Sequence, residues 1–298
     1  MRILTVFLSS VVLFLSSPAF AQTPNTKAST VQPNVLTRHY VEGETLTYHM
    51  EAVNDHAGNK RLYQVDAKGV VRKDATGFYE EFRWLNLEVN GSPVRLDEKF
   101  QQVLSLATDH EISMPNISKL NSKLIGPTAD LLTFYADLRL AVKQGLSRVG
   151  DHVYVNHPEA NSWADGKYLM IAEDSVDFDI TLRSVEASRQ LATVVIRHVP
   201  PKESHIRVPV EWMQVPVTIG PNNWVQVAND SGKYVASIGN EQFEVELKVS
   251  IADGKILSAT MDNPVEVLER ECTDASLTRC GEARRYRIQR KIGIMLAR

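Results

Sequence analysis

The sequence is poor in cysteine, with only Cys272 and Cys280 among 298 residues. They form one C-x7-C pair without a second ligand pair at zinc-finger spacing, which disfavours a structural metal site. Two cysteines close together in an exported chain favour a disulfide. We therefore predict a disulfide that closes a short hairpin loop, and we expect neither thiol to act as a nucleophile.

Long hydrophobic runs are missing after the N-terminus, where no segment approaches the ~18 apolar residues of a transmembrane helix. Arg2 is followed by an apolar stretch over residues 4–15 and by small residues up to Ala21, which is typical of a secretory signal peptide. We predict a signal peptide over residues 1–21 and a flexible polar tail over residues 22–40. The protein is then exported, to the periplasm or to the medium, and does not span a membrane.

An excess of charge of one sign is also absent. The chain has 33 basic and 36 acidic residues, a formal net charge of −3. This balance gives no electrostatic argument for nucleic acid or an anionic lipid surface as a partner, and we expect no nucleic-acid binding.

The sequence lacks the local motifs of common enzyme classes: G-x-S-x-G, H-E-x-x-H, the Walker phosphate loop and G-x-G-x-x-G. The eight histidines are scattered. His152 and His157 lie nearest to acids, and together with Asp165 they are the candidates for an acid–base or metal site. Nothing in their spacing fixes a geometry, so we predict no catalytic residue and no cofactor.

Most of the chain has the period of two that is typical of half-buried β-strands. Asn90-Gly91 is a strong hairpin signal. Residues 176–185 and 191–199 are separated by a short polar turn and should pair, and residues 243–251 place Phe243 and every second residue after it on one face. Because no βαβ rhythm appears, the sheet should be antiparallel.

The period becomes helical after Pro127, and we predict one amphipathic helix over residues 128–146, with Thr128 as its N-cap. The expected fold is mainly β: a curved antiparallel sheet, half-barrel-like or open-barrel-like, packed around that helix. Residues 41–298 would form a single large domain. The alternative is two halves, 41–126 and 150–298, joined by the helix.

The stretch Glu173 to Leu182, EDSVDFDITL, is rich in carboxylates. By the period of two, Asp177 and Asp179 share a face away from the apolar residues. Asp174, in the turn before the strand, could join them as a cation site, but hard cations require six to eight oxygens. We interpret these aspartates as a solvated strand face.

Arg290 falls on the otherwise apolar face of the last strand. A buried guanidinium needs a carboxylate partner, because leaving it unpaired costs several kcal/mol. Glu269 and Asp262 are the candidate partners, and a ligand carboxylate or phosphate is the alternative.

A proline-rich segment over residues 200–224 should be a loop or edge, because proline cannot donate to a β-ladder. Long ordered loops are often functional, and Asn and Trp side chains together can recognise sugars. The candidate binding residues are Trp163, Trp212, Asn222, Asn223 and Trp224, together with Arg290.

The general plan resembles the periplasmic half-barrels that carry lipids or lipoproteins, a resemblance of fold that transfers no site residue. It implies an apolar pocket between helix and sheet. The first hypothesis is an exported, non-enzymatic envelope protein that binds a lipid, another apolar small molecule or an envelope protein. The alternatives are a secreted hydrolase-like enzyme with a loop-built site, and a structural or assembly module that uses exposed strand edges.

Overall fold

Fifteen strands and one α-helix make up most of the described chain. The computed structural model describes residues 34–96, 104–109, 120–121, 123–162, 171–230 and 232–297. The helix, α1, spans Ile125–Lys143. The strands are β1 (Thr45–His56), β2 (Asn59–Lys73), β3 (Phe78–Val89), β4 (Ser92–Pro93), β5 (Leu104–Leu106), β6 (His152–Val155), β7 (Asn161–Ser162), β8 (Ile171–Asp174), β9 (Asp177–Glu186), β10 (Leu191–Val199), β11 (Trp224–Asp230), β12 (Lys233–Glu241), β13 (Phe243–Ser250), β14 (Ile256–Cys272) and β15 (Arg284–Leu296).

These strands form one antiparallel sheet, as the sequence predicts. Its main path runs β4-β3-β2-β1-β15-β14-β12-β11-β8-β7, and a second branch leaves β14 through β13, β10, β9 and β6. Over the described residues the sheet is open and does not close into a barrel. The helix contacts side chains of β2, β3, β10 and β15, which is consistent with a curved sheet packed around it.

The predicted hairpins are present. Asn90 and Gly91 have φ values of 51° and 73° between β3 and β4, the left-handed conformation that two-residue hairpin turns require. Strands β9 and β10 pair through the turn at residues 187–190. Val245, Leu247 and Val249 lie on one fully buried face of β13, as the alternation predicts.

The sheet divides along β14. Strand β13 pairs with its first part as far as Asp262, and β12 pairs with its second part from Val265 onward. Asn263 and Pro264 therefore have a ladder partner only on the β15 side. A proline inside a long strand fits at this point, because its missing N–H faces the gap between β12 and β13.

The helix begins and ends three residues earlier than predicted. Gly126 and Pro127 lie inside its first turn, where amide groups need no intrahelical acceptor and proline is tolerated. Thr128 is therefore not the N-cap, and no side chain caps the helix start. Leu131, Tyr135 and Leu138 are buried as the predicted stripe requires.

The interface between the helix and the sheet is a packed core. Phe134, Leu131 and Leu138 from α1 share one buried cluster with residues such as Phe82 and Met50 from the sheet. The predicted apolar pocket would occupy this interface, but the described side chains here fill it with core contacts. The cavity described below lies on the opposite sheet face.

The segment before β1 is packed against the sheet. Leu36 is fully buried, and the Arg38 side chain bonds to Glu80, so residues 34–40 of the predicted tail are ordered here. The predicted signal peptide and the rest of the tail lie outside the described residues. Across the described chain, no helix is long and apolar enough to cross a membrane.

Candidate functional site

A groove of about 760 Å³ crosses the sheet face opposite α1. Strands β2, β1, β15, β14 and β13 form its floor, and the β3–β4 turn closes one end. The outer-face groove, as we call it, is lined by the outward residues Glu51, Val53, Leu62, Gln64, Glu88, Asn90, Gly91, Glu244, Glu246, Thr260, Asp262, Lys291 and Gly293. Strands lie about 4.8 Å apart, so a ligand that crosses all five would be about 20 Å long.

Acidic side chains dominate this lining. The charged groups are five carboxylates and one lysine: Glu51, Glu88, Glu244, Glu246 and Asp262 against Lys291. At the β13 end, neighbouring arginines neutralise them, because Arg183 contacts Glu246 at 2.6 Å and Arg197 contacts Glu244 at 3.0 Å. The negative potential is therefore concentrated at the other end of the groove.

Glu51 and Glu88 create that potential. Both pair across the ladder with Gln64 on β2, so they flank one neutral side chain on the same sheet face. Among the ion pairs of the described residues, neither glutamate has a basic partner. Two exposed carboxylates held on rigid strands attract cations from solution.

Apolar surface lies next to these carboxylates. Val53 and Leu62 are opposite each other on β1 and β2, with exposed fractions of 37% and 47%. Gly293 lies between Glu51 and Thr260 in the ladder. Because glycine has no side chain, nothing projects into the groove at that position. The groove thus combines an apolar floor with an acidic rim.

A buried charge cluster ties α1 to the sheet. Arg290 pairs with Asp130 of the helix, and Tyr63 donates a 2.5 Å hydrogen bond to the same carboxylate. The predicted partners of Arg290 were wrong: Glu269 binds Arg284, and Asp262 binds Lys291 and Gln289. Burial and Asp130 hold the pKa of Tyr63 well above its usual value, so this hydroxyl stays a donor.

A second buried carboxyl lies where the sheet divides. Glu241 accepts a 2.7 Å hydrogen bond from Asn263, and both residues are almost fully buried. Burial, with Asp174 adding to it, raises the pKa of Glu241 to about 7 despite the opposing effects of Asn263, Arg290 and His198. A neutral, protonated Glu241 is therefore substantially populated near neutral pH.

A third cluster joins the segment before β1 to α1. Arg38 contacts Glu80 at 2.8 Å and Glu44 at 2.6 Å, and Tyr135 donates to Glu80. Burial would lower the pKa of Arg38, but Glu80 and Glu44 outweigh it and raise that pKa. Arg38 and Glu80 thus find their partners within the protein, and the cluster anchors the segment before β1 to the sheet and to α1.

The two described candidates for an acid–base site, His152 and His157, have different partners. His152 contacts Asp179 at 2.5 Å on the surface, whereas His157 uses its backbone N–H to bond Asp177 at 2.9 Å. Among the described residues no group of three His, Cys, Asp or Glu side chains could hold a metal ion. Asp165 and Trp163 lie outside the described residues.

The interpretation of the aspartates as a solvated face was wrong for Asp177. It is 6% exposed and accepts a 2.8 Å hydrogen bond from Tyr154. Pairing with β6 covers this end of β9, which a pattern within one strand cannot reveal. Asp174 belongs to β8 and bonds Asn161, so it is not in a turn.

The candidate sugar-binding residues are engaged inside the protein. Asn223 is fully buried and bonds backbone groups of Ser175 and Glu241, and Asn222 likewise bonds the backbone of the proline-rich loop. Trp224 is 6% exposed, and Trp212 donates to the carbonyl of Leu277 at 3.2 Å. The proline-rich loop is therefore held in place by hydrogen bonds of the Asn222 and Asn223 side chains.

The predicted disulfide is present between Cys272 and Cys280. Sequence reasoning missed the outer-face groove, because its residues come from separate strands and each alone is an ordinary surface position. No protein-family model matches the chain, and none of the curated proteins searched is significantly similar to it in sequence.

Proposed function

We propose that the protein is an exported, non-enzymatic envelope protein that binds a basic, partly apolar segment of another envelope protein in the outer-face groove. The observation that carries this proposal is the pairing of an acidic rim, Glu51 and Glu88, with the apolar surface of Val53 and Leu62. Lysine or arginine side chains would meet the carboxylates, and alternate apolar side chains would cover the floor.

Charge favours a protein segment over a phospholipid. Anionic headgroups would be repelled by the free carboxylates, and the helix–sheet interface, where a lipid chain was expected, is a packed core. A crossing of about 20 Å corresponds to about six extended residues. The Cys272–Cys280 disulfide supports export to an oxidising compartment.

Titration with defined probes tests this proposal. A nine-residue peptide of alternating lysine and leucine should bind, and binding should weaken as salt is raised because the charges are exposed. A peptide of alternating glutamate and leucine, and vesicles of phosphatidylglycerol, should bind much more weakly. Isothermal titration calorimetry measures all three.

Paired variants locate the binding to the groove. Glu51→Gln with Glu88→Gln should weaken the lysine–leucine peptide roughly fivefold to tenfold, given the modest strength of exposed ion pairs. Glu203→Gln with Glu282→Gln removes the same charge from exposed loop positions and should leave the affinity unchanged. Equal losses in both pairs, or tighter binding to the vesicles, would refute the proposal.

A further inference from the structure

An exposed apolar tip lies in the proline-rich segment, between the 3₁₀ turn at residues 211–214 and β11. This loop tip, as we call it, comprises residues 214–220, QVPVTIG. Ile219 is fully exposed and Val215 is 55% exposed. No residue from 212 to 229 carries a charged side chain. The protein therefore holds apolar side chains in solvent at this point, on a loop that has no charge of its own.

Hydrogen bonds of Asn222 fix the conformation of the loop tip. Its Oδ1 accepts from the backbone N–H of Val217 at 2.9 Å, and its Nδ2 donates to the carbonyls of Met213 and Val215 at 3.0 Å and 2.8 Å. Asn222 is only 8% exposed, and Met213 is fully buried. Turning Ile219 inward would disrupt these bonds, so its exposure is a consequence of how the loop is built.

The base of the loop tip has already satisfied much of its backbone hydrogen bonding. Pro216 has no N–H, and the N–H of Val217 is bound to Asn222. The carbonyls of Val215 and Val217 accept from Asn222 and Arg285. Backbone groups that enter an apolar medium must be satisfied within the protein. Insertion of the tip would therefore dehydrate mainly the outermost residues, 218–220.

Two arginines lie at the base of the loop tip. Arg285 is exposed and donates to the carbonyl of Val217 at 2.9 Å, and the half-buried Arg270 lies 5.2 Å from the centre of the Trp212 ring. Arg285 is opposite Leu268 on β14, so Arg270, two residues further along, is its diagonal neighbour on the same face. Within the described part of the chain, neither arginine forms an ion pair with a carboxylate.

The acidic rim of the outer-face groove is too far away to cancel this positive charge. Glu51 lies opposite Gly293, and the span of β15 from Arg285 to Gly293 is about 27 Å at about 3.4 Å per residue. That is more than twice the Debye length of about 8–10 Å at physiological salt. Glu266, closer to Arg285 on the neighbouring strand, is already paired with Arg287. The base of the loop tip therefore carries a local positive charge.

We infer that the loop tip inserts into the surface of a membrane that contains anionic lipids. Ile219 and Val215 enter the boundary between headgroups and acyl chains, where fluid hydrocarbon surrounds a convex tip without a matching pocket. Arg285 donates to lipid phosphates, and Arg270 adds positive charge behind it. Apolar insertion combined with basic flanking side chains is an established way to bind a membrane interface.

This attachment is weak and reversible, because only two apolar side chains and two charges take part. It agrees with vesicle binding that is much weaker than binding of the lysine–leucine peptide, and it leaves no lipid on the purified protein. The loop tip is separate from the outer-face groove, and the inference does not depend on the function proposed for that groove.

Co-sedimentation of the full chain with sucrose-loaded vesicles tests the inference. Vesicles of equal parts phosphatidylglycerol and phosphatidylcholine should bind the protein. Vesicles of phosphatidylcholine alone should bind it roughly fivefold more weakly or less, because the arginines then meet no net negative charge. No binding to the mixed vesicles at millimolar lipid, or equal binding to both compositions, would overturn the inference.

Substitution of Ile219 locates the binding to the loop tip. Ile219→Ser should weaken partitioning into the mixed vesicles about tenfold, as expected for loss of one inserted isoleucine. Leu85→Ser removes an apolar side chain of β3 that is 55% exposed, and it should have no effect. Urea unfolding of Ile219→Ser should match the wild type, since the side chain is fully exposed. Equal losses of binding in the two variants would refute the inference.

Substitution of Arg285 tests the contribution of charge. Arg285→Gln should weaken partitioning into the mixed vesicles about fivefold. Arg189→Gln removes the same charge from the turn between β9 and β10, where that arginine is 75% exposed, and should leave partitioning unchanged. An Arg285→Gln protein that partitions like the wild type would contradict the role of the arginine.

The groove variants and the state of assembly complete the test. Glu51→Gln with Glu88→Gln should not weaken partitioning into the mixed vesicles, and Ile219→Ser should keep the wild-type affinity for the lysine–leucine peptide. Failure of one proposal is thereby distinguished from failure of the other. In analytical ultracentrifugation the free chain should be a monomer. A dimer that Ile219→Ser abolishes would assign the loop tip to a second copy of the chain and overturn the inference.

Discussion

Glu241 illustrates how burial changes the chemistry of a single residue. Its local sequence does not mark it, but the pairing of β12 with β14 buries it beside Asn223 and Asn263. Its pKa rises from the usual 4.5 to about 7, first through burial and then through Asp174. The folded protein therefore binds a proton that the unfolded chain releases between those pH values.

This difference predicts a pH-dependent contribution to stability. Between about pH 4.5 and 7 the folded state holds more protons than the unfolded state at this site, so the wild-type free energy of unfolding should fall as the pH rises. The fall attributable to Glu241 is up to about 3 kcal/mol. Glu241→Gln removes the titrating group. Urea unfolding of both proteins at pH 5 and pH 8 should therefore show that the free energy of unfolding of the variant rises, relative to that of the wild type, from pH 5 to pH 8.

Glu266→Gln on β14 is the matched control, since that side chain is 49% exposed and faces Arg287. It should keep the wild-type dependence on pH, which includes the contribution of Glu80, whose pKa is also raised, chiefly by burial. A Glu241→Gln protein whose stability follows the wild type in parallel across this range would contradict the assignment.

At the scale of elements, α1 is held to the sheet by more than apolar contacts. Asp130 and Asp137, two turns apart, are both buried: one binds Arg290 and Tyr63, and the other contacts His198 at 2.9 Å. The sequence indicates the apolar stripe of the helix correctly. It does not reveal the partner of Asp130, because Arg290 is 160 positions away along the chain.

Arg290→Ala should lower the free energy of unfolding by more than ~2 kcal/mol, since it leaves the Asp130 carboxylate buried without its cation. The Arg290 side chain is 30% exposed, which keeps the expected loss below that of a fully buried pair. Chemical denaturation measures it. Arg287→Ala, on the opposite face of the same strand and 56% exposed, should cost less than ~0.5 kcal/mol.

A double-mutant cycle with Asp130→Asn distinguishes the pair from general packing. If Arg290 acts through Asp130, the two losses should be strongly non-additive. Additive losses, or a small effect of Arg290→Ala alone, would show that the helix is anchored mainly by its apolar face.

At the scale of the whole molecule, the two faces of the sheet have different roles. One face packs against α1 and forms the core, and the other carries the acidic outer-face groove. The near-neutral total charge hides this division, because basic and acidic side chains are distributed unevenly over the surface. Surface potential is a property of the folded arrangement and not of composition.

Export can be examined on the intact protein. Native mass spectrometry of the chain purified from its own cell envelope should give a polypeptide that begins at Gln22, with Cys272 and Cys280 oxidised. A retained peptide or protein, lost at high salt, would agree with the groove proposal. A retained lipid would contradict the groove proposal. A chain that still begins at Met1 with reduced cysteines would contradict export.

Local sequence patterns were enough to predict the fold class and most of the local elements. Alternation with a period of two, the Asn90-Gly91 turn, the helical stripe and the nearby cysteine pair are local signals, and each was confirmed within a few residues. Local signals suffice because side-chain direction and turn geometry depend on neighbouring residues.

The contacts that form the sites of the protein became visible only in the folded arrangement. The partner of Arg290, the burial of Asp177 and Glu241, and the groups that line the outer-face groove all depend on segments far apart in sequence. Cross-strand register and the division of the sheet at Asn263 and Pro264 bring them together. Periodicity assigns a residue to a face, but what covers that face depends on long-range pairing, and pairing decides which charges stay free.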